Sequence, residues 1–144
     1  MSTPATWRPR RTVAAAAVMA VAILTTMVWL AIAISDTFQL ADRIGIVLFG
    51  VFFAWVLSLL ARVKVVADEA GLTVVNPLRT HRYTWPEIVG ISLGVGAPWP
   101  YLDLADGTTK GVVGIQGSEG DDARAAVLAL RELIAERGQA QEPR

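Results

Sequence analysis

Two long stretches without charged residues dominate the first 61 residues of the chain. The first, residues 13–35, is nearly all Ala, Val, Ile, Leu and Met, and the second, residues 44–61, is rich in Phe and Val. About 20 apolar residues span a bilayer as a helix, and lipid offers no partner to unpaired backbone groups. With the short polar connection between them, the stretches predict a transmembrane hairpin over residues 13–61.

A cleaved secretory signal is the alternative reading of the first stretch, because Arg8, Arg10 and Arg11 precede it. The apolar stretch is longer than the roughly 7–15 residues of a signal core, and no small-residue cleavage pattern follows it. The second stretch also comes almost at once. We therefore favour the hairpin.

Basic residues flank both outer ends of the predicted hairpin. Arg8, Arg10 and Arg11 precede the first helix, and Arg62 and Lys64 follow the second. Because basic flanks stay in the cytoplasm, we expect a multi-pass protein of the plasma membrane with both termini cytoplasmic. No ionisable residue lies inside either stretch, which argues against a transporter or a proton relay.

Composition excludes several classes of protein. The chain is 53% hydrophobic and has no cysteine, which argues against disorder, a disulfide framework and a thiol nucleophile. Its 13 basic and 13 acidic residues balance, so it is not a strongly basic nucleic-acid binder.

The remainder of the chain predicts a small domain that begins with an antiparallel meander. Residues 63–67, 72–76 and 81–84 are strand-like, and Gly71 in the first turn is expected to supply a positive φ. Thr84, Pro86 and Glu87 form a capping-box pattern for one helical turn.

The second half of this domain predicts a hairpin and a closing helix. Residues 89–93 and 101–104 are strand-like, an Asp-Gly turn follows, and residues 109–115 return as a strand. Asp121 and Asp122 suit a helix start. The helix is expected to end at Gly138, and its apolar positions recur at steps of three and four: Ala126, Val127, Leu130, Leu133 and Ile134.

These elements give an α+β fold class: a two-helix transmembrane hairpin, then a bent antiparallel sheet or barrel capped by a C-terminal helix. The expected organisation is a basic cytoplasmic N-terminus (1–12), the hairpin (13–35 and 44–61), the domain (62–137) and a flexible tail (138–144). Short antiparallel strands closed by one helix are the layout of the pleckstrin-homology (PH) superfold.

Particular residues extend this likeness to a family. The segments ADEAGLTVVNPLRTHRYTWPEIVGISL and YLDLADGTTKGVVGI follow two apolar helices, and the D-E-x-G-L-T-V turn and the later W-x-E-I are the most telling. The chain resembles the bacterial PH-domain membrane proteins of actinobacteria, the group that includes low-molecular-weight protein antigen 6. The resemblance implies the PH-like fold over residues 62–136 and no catalytic residues.

No residue constellation indicates an enzyme. His81 is the single histidine, which does not make a His-rich metal site. Asp103 and Asp106 flank a turn, and the Asp121–Asp122 pair starts a helix, so both carboxylate pairs have structural explanations. We expect no catalytic, metal or cofactor site.

Two binding hypotheses remain. Pro98, Trp99 and Tyr101 form a proline-stiffened aromatic loop that suits a protein partner, although Trp99 packed on the sheet or dipped into the bilayer interface are alternatives. The basic residues Lys64, Arg79, His81 and Arg82 suit anionic lipid headgroups. The sequence thus favours a non-enzymatic adaptor or accessory subunit that binds a membrane-protein partner and no nucleic acid. The alternative is a module that reads inner-leaflet lipids.

Overall fold

A computed structural model describes residues 3–139 of the chain. The chain divides into two compact units. Residues 11–61 form one unit, and the residues before and after them form the other. The N-terminal segment therefore belongs to the same unit as the C-terminal domain. The predicted tail falls largely on residues 140–144, which lie outside the described residues.

The first unit is a hairpin of two helices, α1 (Arg10–Ala33) and α2 (Leu40–Leu60). Helix α2 starts before the expected residue 44, because Asp42 serves its N-terminus: the backbone N–H of Gln39 donates to Asp42 Oδ2 at 3.2 Å. Gly50 lies against Met27, where an added Cβ would approach the Met27 side chain to 2.9 Å. At the turn, Arg43 Nε donates to the carbonyl of Ala31 at 2.7 Å.

Both helices are long and apolar enough to cross a membrane. Helix α1 buries only Ala16 and Ala31, and α2 buries only Gly50. Helices at the core of a soluble domain bury their apolar face, whereas these expose theirs, which indicates association with a membrane.

The second unit starts with a four-stranded antiparallel sheet in the order β1-β2-β3-β4. Its strands are β1 (Ala5–Trp7), β2 (Lys64–Ala67), β3 (Gly71–Val75) and β4 (Thr80–Thr84). The predicted meander is confirmed as β2 to β4. Strand β1 is a feature that the sequence does not predict: it precedes the hairpin, yet Thr6 lies opposite Val66 of β2.

The second sheet has three antiparallel strands in the order β5-β6-β7. A 3₁₀ turn (Trp85–Glu87) leads into β5 (Ile88–Ser92), which pairs with β6 (Tyr101–Leu104), and β6 pairs with β7 (Thr109–Gly111). The return strand is shorter than the expected 109–115 because the chain turns there, with the N–H of Ile115 bonded to the carbonyl of Val112.

A second 3₁₀ turn (Gly117–Glu119) precedes the closing helix α3 (Asp121–Gln139). Gly138 does not end this helix, which corrects the expected boundary. Two glycines also differ in role: Gly107 has φ 85° in the Asp-Gly turn, as expected, but Gly71 does not have a positive φ. Gly71 is needed because a Cβ there would collide with the carbonyl of Tyr83.

The core lies between the two sheets and α3. Trp85, Leu72, Leu102 and Leu130 are fully buried in it, and Trp7 of β1 packs against it. The α3 residues of the core follow the predicted periodicity: Ala123, Ala126, Val127, Leu130 and Ile134. The α+β fold class, with two apolar helices followed by antiparallel sheets and a C-terminal helix, is confirmed.

Candidate interaction surfaces

The aromatic loop between β5 and β6 is held at both ends by backbone hydrogen bonds. Gly117 N–H donates to the carbonyl of Pro98 at 2.8 Å, and Val112 N–H donates to the carbonyl of Pro100 at 2.9 Å. Pro100 is fully buried. The loop is therefore fixed against the segments that follow β7.

The three predicted partner-binding residues differ in exposure. Trp99 is half-buried against β7, where a Cβ at Gly111 would lie 2.7 Å from the indole Nε1. Pro98 is exposed, and Tyr101 exposes 40% of its surface. The position of Trp99 matches the packing alternative, since the indole fills the space left by the missing side chain of Gly111.

A groove separates this loop from helix α3, and its volume is about 640 Å³. Val95 at the loop tip is fully exposed, and Leu128 on α3 exposes 57% of its surface. The described residues that line the groove are Leu93, Gly94, Val95, Gly96, Ala97, Pro98, Gly117, Ser118, Gly120, Arg124, Val127, Leu128 and Arg131. We call this feature the loop–α3 groove.

The charged residues of the loop–α3 groove are arginines. Arg131 is anchored by its Nε, which donates to the carbonyl of Ile91 on β5 at 3.0 Å. Arg124 forms an ion pair with Asp121 at 3.3 Å, with both side chains well exposed. The groove thus combines apolar walls with two arginines, and arginine is enriched at protein–protein interfaces.

The four predicted lipid-headgroup residues are divided between different surfaces. His81 is on the inner side of β4, and its ring stacks on Tyr83 with centroids 6.1 Å apart. Arg82 is on the outer side, where its guanidinium bonds Asp68 at 3.0 Å. Lys64 begins β2, and Arg79 lies in the β3–β4 turn.

Register places Lys64 and Arg79 at the same end of the first sheet. Lys64 lies opposite Val75, and Val75 lies opposite Thr80. This end of the sheet is also where the chain passes from Trp7 to α1 and from α2 to Lys64. We call it the tethered end.

The shifted carboxyl groups serve turns. Hydrogen bonds from the backbone N–H and hydroxyl of Thr84 lower the pKa of Glu87, and bonds from the hydroxyl and N–H of Thr108 lower the pKa of Asp106. Within residues 3–139, no group of three or more His, Cys, Asp or Glu side chains is arranged to hold a metal ion.

The loop–α3 groove is the feature that sequence reasoning missed. The sequence favours Trp99 as the partner-binding side chain because it is a large aromatic residue. In the structure, Val95 and Leu128 carry the exposed apolar surface. The Gly-Val-Gly sequence at residues 94–96 is the one local signal, because glycines leave the valine between them unshielded.

Comparison with known proteins agrees with this fold. The profile of the bacterial PH domain family matches residues 62–133. Uncharacterized proteins of Mycobacterium bovis and Mycobacterium tuberculosis are 35% identical over 130 residues, which cover 90% of this chain and 84% of each relative. No solved structure matches the chain. The resemblance to an actinobacterial family is confirmed, and the chain belongs to the bacterial PH domain family.

Proposed function

We propose that this is a non-enzymatic integral membrane protein that presents its PH-like domain in the cytoplasm as a protein-interaction module. In this role it acts as an adaptor or accessory subunit of a membrane complex. The observation that carries the proposal is the loop–α3 groove, with its exposed Val95 and Leu128. Apolar side chains that line one groove and are flanked by polar residues suit a docking site.

The topology of the proposal is a double crossing of the plasma membrane with both termini inside. Residues 5–7 precede α1 and residues 64–67 follow α2, yet they pair in one sheet. Such pairing requires both segments to be on the same side of the membrane. The basic residues next to the helices, among them Arg10 and Arg62, favour the cytoplasmic side.

The position of the groove supports a membrane protein as the partner. Asn76 Nδ2, just beyond β3, donates to the carbonyl of Gly111, and Gly111 lies opposite Tyr101, which lies opposite Ser92. The loop that joins Ser92 to Tyr101 is therefore at the tethered end of the domain. A partner that reaches this groove would do so with a segment close to its own membrane helix.

Affinity capture of the tagged full-length protein from its native membranes tests the proposal. We expect one partner to be recovered near stoichiometrically with the wild-type protein and lost with Val95→Asp. The matched control is Val89→Asp, because Val89 is 66% exposed on β5 and does not line the groove. Recovery of the protein alone in several mild detergents, or equal recovery with Val95→Asp, would contradict the proposal.

A second candidate function is a module that reads anionic inner-leaflet lipids. The observation in its favour is that Lys64 and Arg79 share the tethered end of the sheet. Binding of the domain to liposomes should then depend on lipid charge, and loss of this dependence in Lys64→Glu with Arg79→Glu would support this function. Partner recovery that depends on Val95 and not on these two charges would support the adaptor function.

A further inference from the structure

The turns at the two ends of the first sheet differ in charge. At the tethered end, residues 62–64 and 76–79 carry Arg62, Lys64 and Arg79 and no acidic residue. At the opposite end, the β2–β3 turn carries Asp68 and Glu69.

Two further carboxylates belong to that opposite end. Glu87 lies in the turn after β4, and its carbonyl accepts from the N–H of Ala105 at 2.8 Å. This bond brings the β6–β7 turn, and with it Asp106, to the same end as Glu87. The carboxylates of these turns thus lie away from the end at which the helices join the domain.

The β3–β4 turn adds an exposed apolar side chain to the tethered end. Leu78 exposes 80% of its surface and lies next to Arg79 in the sequence. The turn is closed by the N–H of Asn76, which donates to the carbonyl of Arg79 at 2.9 Å. A rigid turn that presents a leucine beside an arginine suits the boundary between lipid headgroups and acyl chains.

Chain length keeps this end near the bilayer. Only three residues separate the end of α2 at Leu60 from Lys64, and two separate Trp7 from Arg10, where α1 begins. An extended chain gains about 3.5 Å per residue, so each tether spans roughly 10–14 Å.

Resting on the topology proposed above, we propose that the tethered end docks on the inner leaflet of the membrane that the helices cross. Leu78 enters the interface, while Arg62, Lys64 and Arg79 contact anionic phosphates. This contact with the leaflet sets the orientation of the domain and requires no selective headgroup pocket. The tethered end also carries Glu119 and Asp122, which line a groove with Arg8 and Arg10. Because these charges face one another there, neither pair is counted in the lipid-contacting surface.

The test uses the absence of native cysteine. Full-length Leu78→Cys carries an environment-sensitive fluorophore in nanodiscs of phosphatidylcholine with or without phosphatidylglycerol. We expect blue-shifted emission, and quenching by lipid-attached nitroxide, in the anionic discs only. Both signals should weaken in 1 M salt, where the Debye length is about 3 Å, and with Lys64→Glu plus Arg79→Glu.

The control label is at Val89→Cys, an exposed position at the opposite end of β5 from the loop. It should report water in every disc. Water-like emission from position 78 in anionic discs would overturn the proposal, as would a blue shift of equal size in discs without phosphatidylglycerol. Labelling of position 89 by an impermeant thiol reagent on intact cells would instead overturn the proposed topology, and with it the docking on the inner leaflet.

Discussion

Asn76 and Val113 are joined by a hydrogen bond between two parts of the fold that are distant in sequence. The N–H of Val113 donates to Asn76 Oδ1 at 3.1 Å, and Asn76 Nδ2 donates to the carbonyl of Gly111 at 3.0 Å. Asn76 follows β3 of the first sheet, and Gly111 ends β7 of the second. One side chain therefore fastens the two sheets together at the tethered end.

Replacing this residue should destabilise the domain. Asn76→Ala leaves the N–H of Val113 and the carbonyl of Gly111 without these partners in a partly buried site, so we expect the free energy of unfolding to fall by about 2 kcal/mol. Denaturant unfolding followed by tryptophan fluorescence measures it. The neighbouring exposed Thr80→Ala should stay within about 0.5 kcal/mol of wild type, and an equal effect of both variants would contradict the assigned role.

Gly114 is required by the close approach of a backbone. An added Cβ would lie 2.6 Å from the carbonyl carbon of Lys64. This atom belongs to the backbone, so it cannot move aside as the end of a flexible side chain can. Gly114→Ala should therefore cost about 1–3 kcal/mol, as overpacking does. Gly90 in β5 is the matched control because a Cβ there meets nothing within 4 Å, and Gly90→Ala should be nearly neutral. Similar melting temperatures for the two variants would refute this reading.

Glu87 should give the domain a defined acid sensitivity. Hydrogen bonds from Thr84 lower its pKa in the folded state below the ordinary 4.5, which applies to the unfolded chain. The carboxylate therefore contributes fully to stability at pH values above 4.5. As pH falls through the lowered pKa, the carboxylate is protonated and the contribution is lost. As the pH falls from about 5 through the lowered pKa, the free energy of unfolding should therefore decrease more for wild type than for Glu87→Gln. Urea unfolding of both proteins at a series of pH values measures this difference. Parallel stability profiles would show that the capping bonds are not formed.

The parts of this fold that sequence predicts are those set by local patterns. The two apolar helices follow from the uncharged stretches at residues 13–35 and 44–61, and the positive φ of Gly107 follows from the Asp-Gly turn. The meander of β2 to β4 follows from the strand-like segments at residues 63–67, 72–76 and 81–84. The α3 stripe likewise follows from residue spacing.

The parts that sequence does not predict depend on contacts between distant segments. Strand β1 has only three residues and stands alone in sequence, so its pairing with β2 becomes visible only when the hairpin returns the chain. Trp99 is half-buried, because Gly111 on a neighbouring strand makes room for its indole ring. The loop–α3 groove arises in the same way, from a loop and a helix that no local pattern brings together.

The central claim is that the two membrane helices are inserted between the first and second strands of one PH-like domain, which keeps both ends of the hairpin on one side. A cysteine pair at Thr6 and Val66, which lie opposite each other, tests it in the otherwise cysteine-free chain. A protease site placed between Ala33 and Leu40 then allows the chain to be cut after oxidation.

We predict that the two fragments stay linked on a non-reducing gel and separate on reduction. The control pair, Thr6→Cys with Thr73→Cys, should not link, because Thr73 lies one strand further away. Two strand spacings are about 9.6 Å, beyond the roughly 7 Å limit of a disulfide. Fragments that separate from the Thr6 and Val66 pair as readily as from the control, or that link only between two chains, would contradict the account.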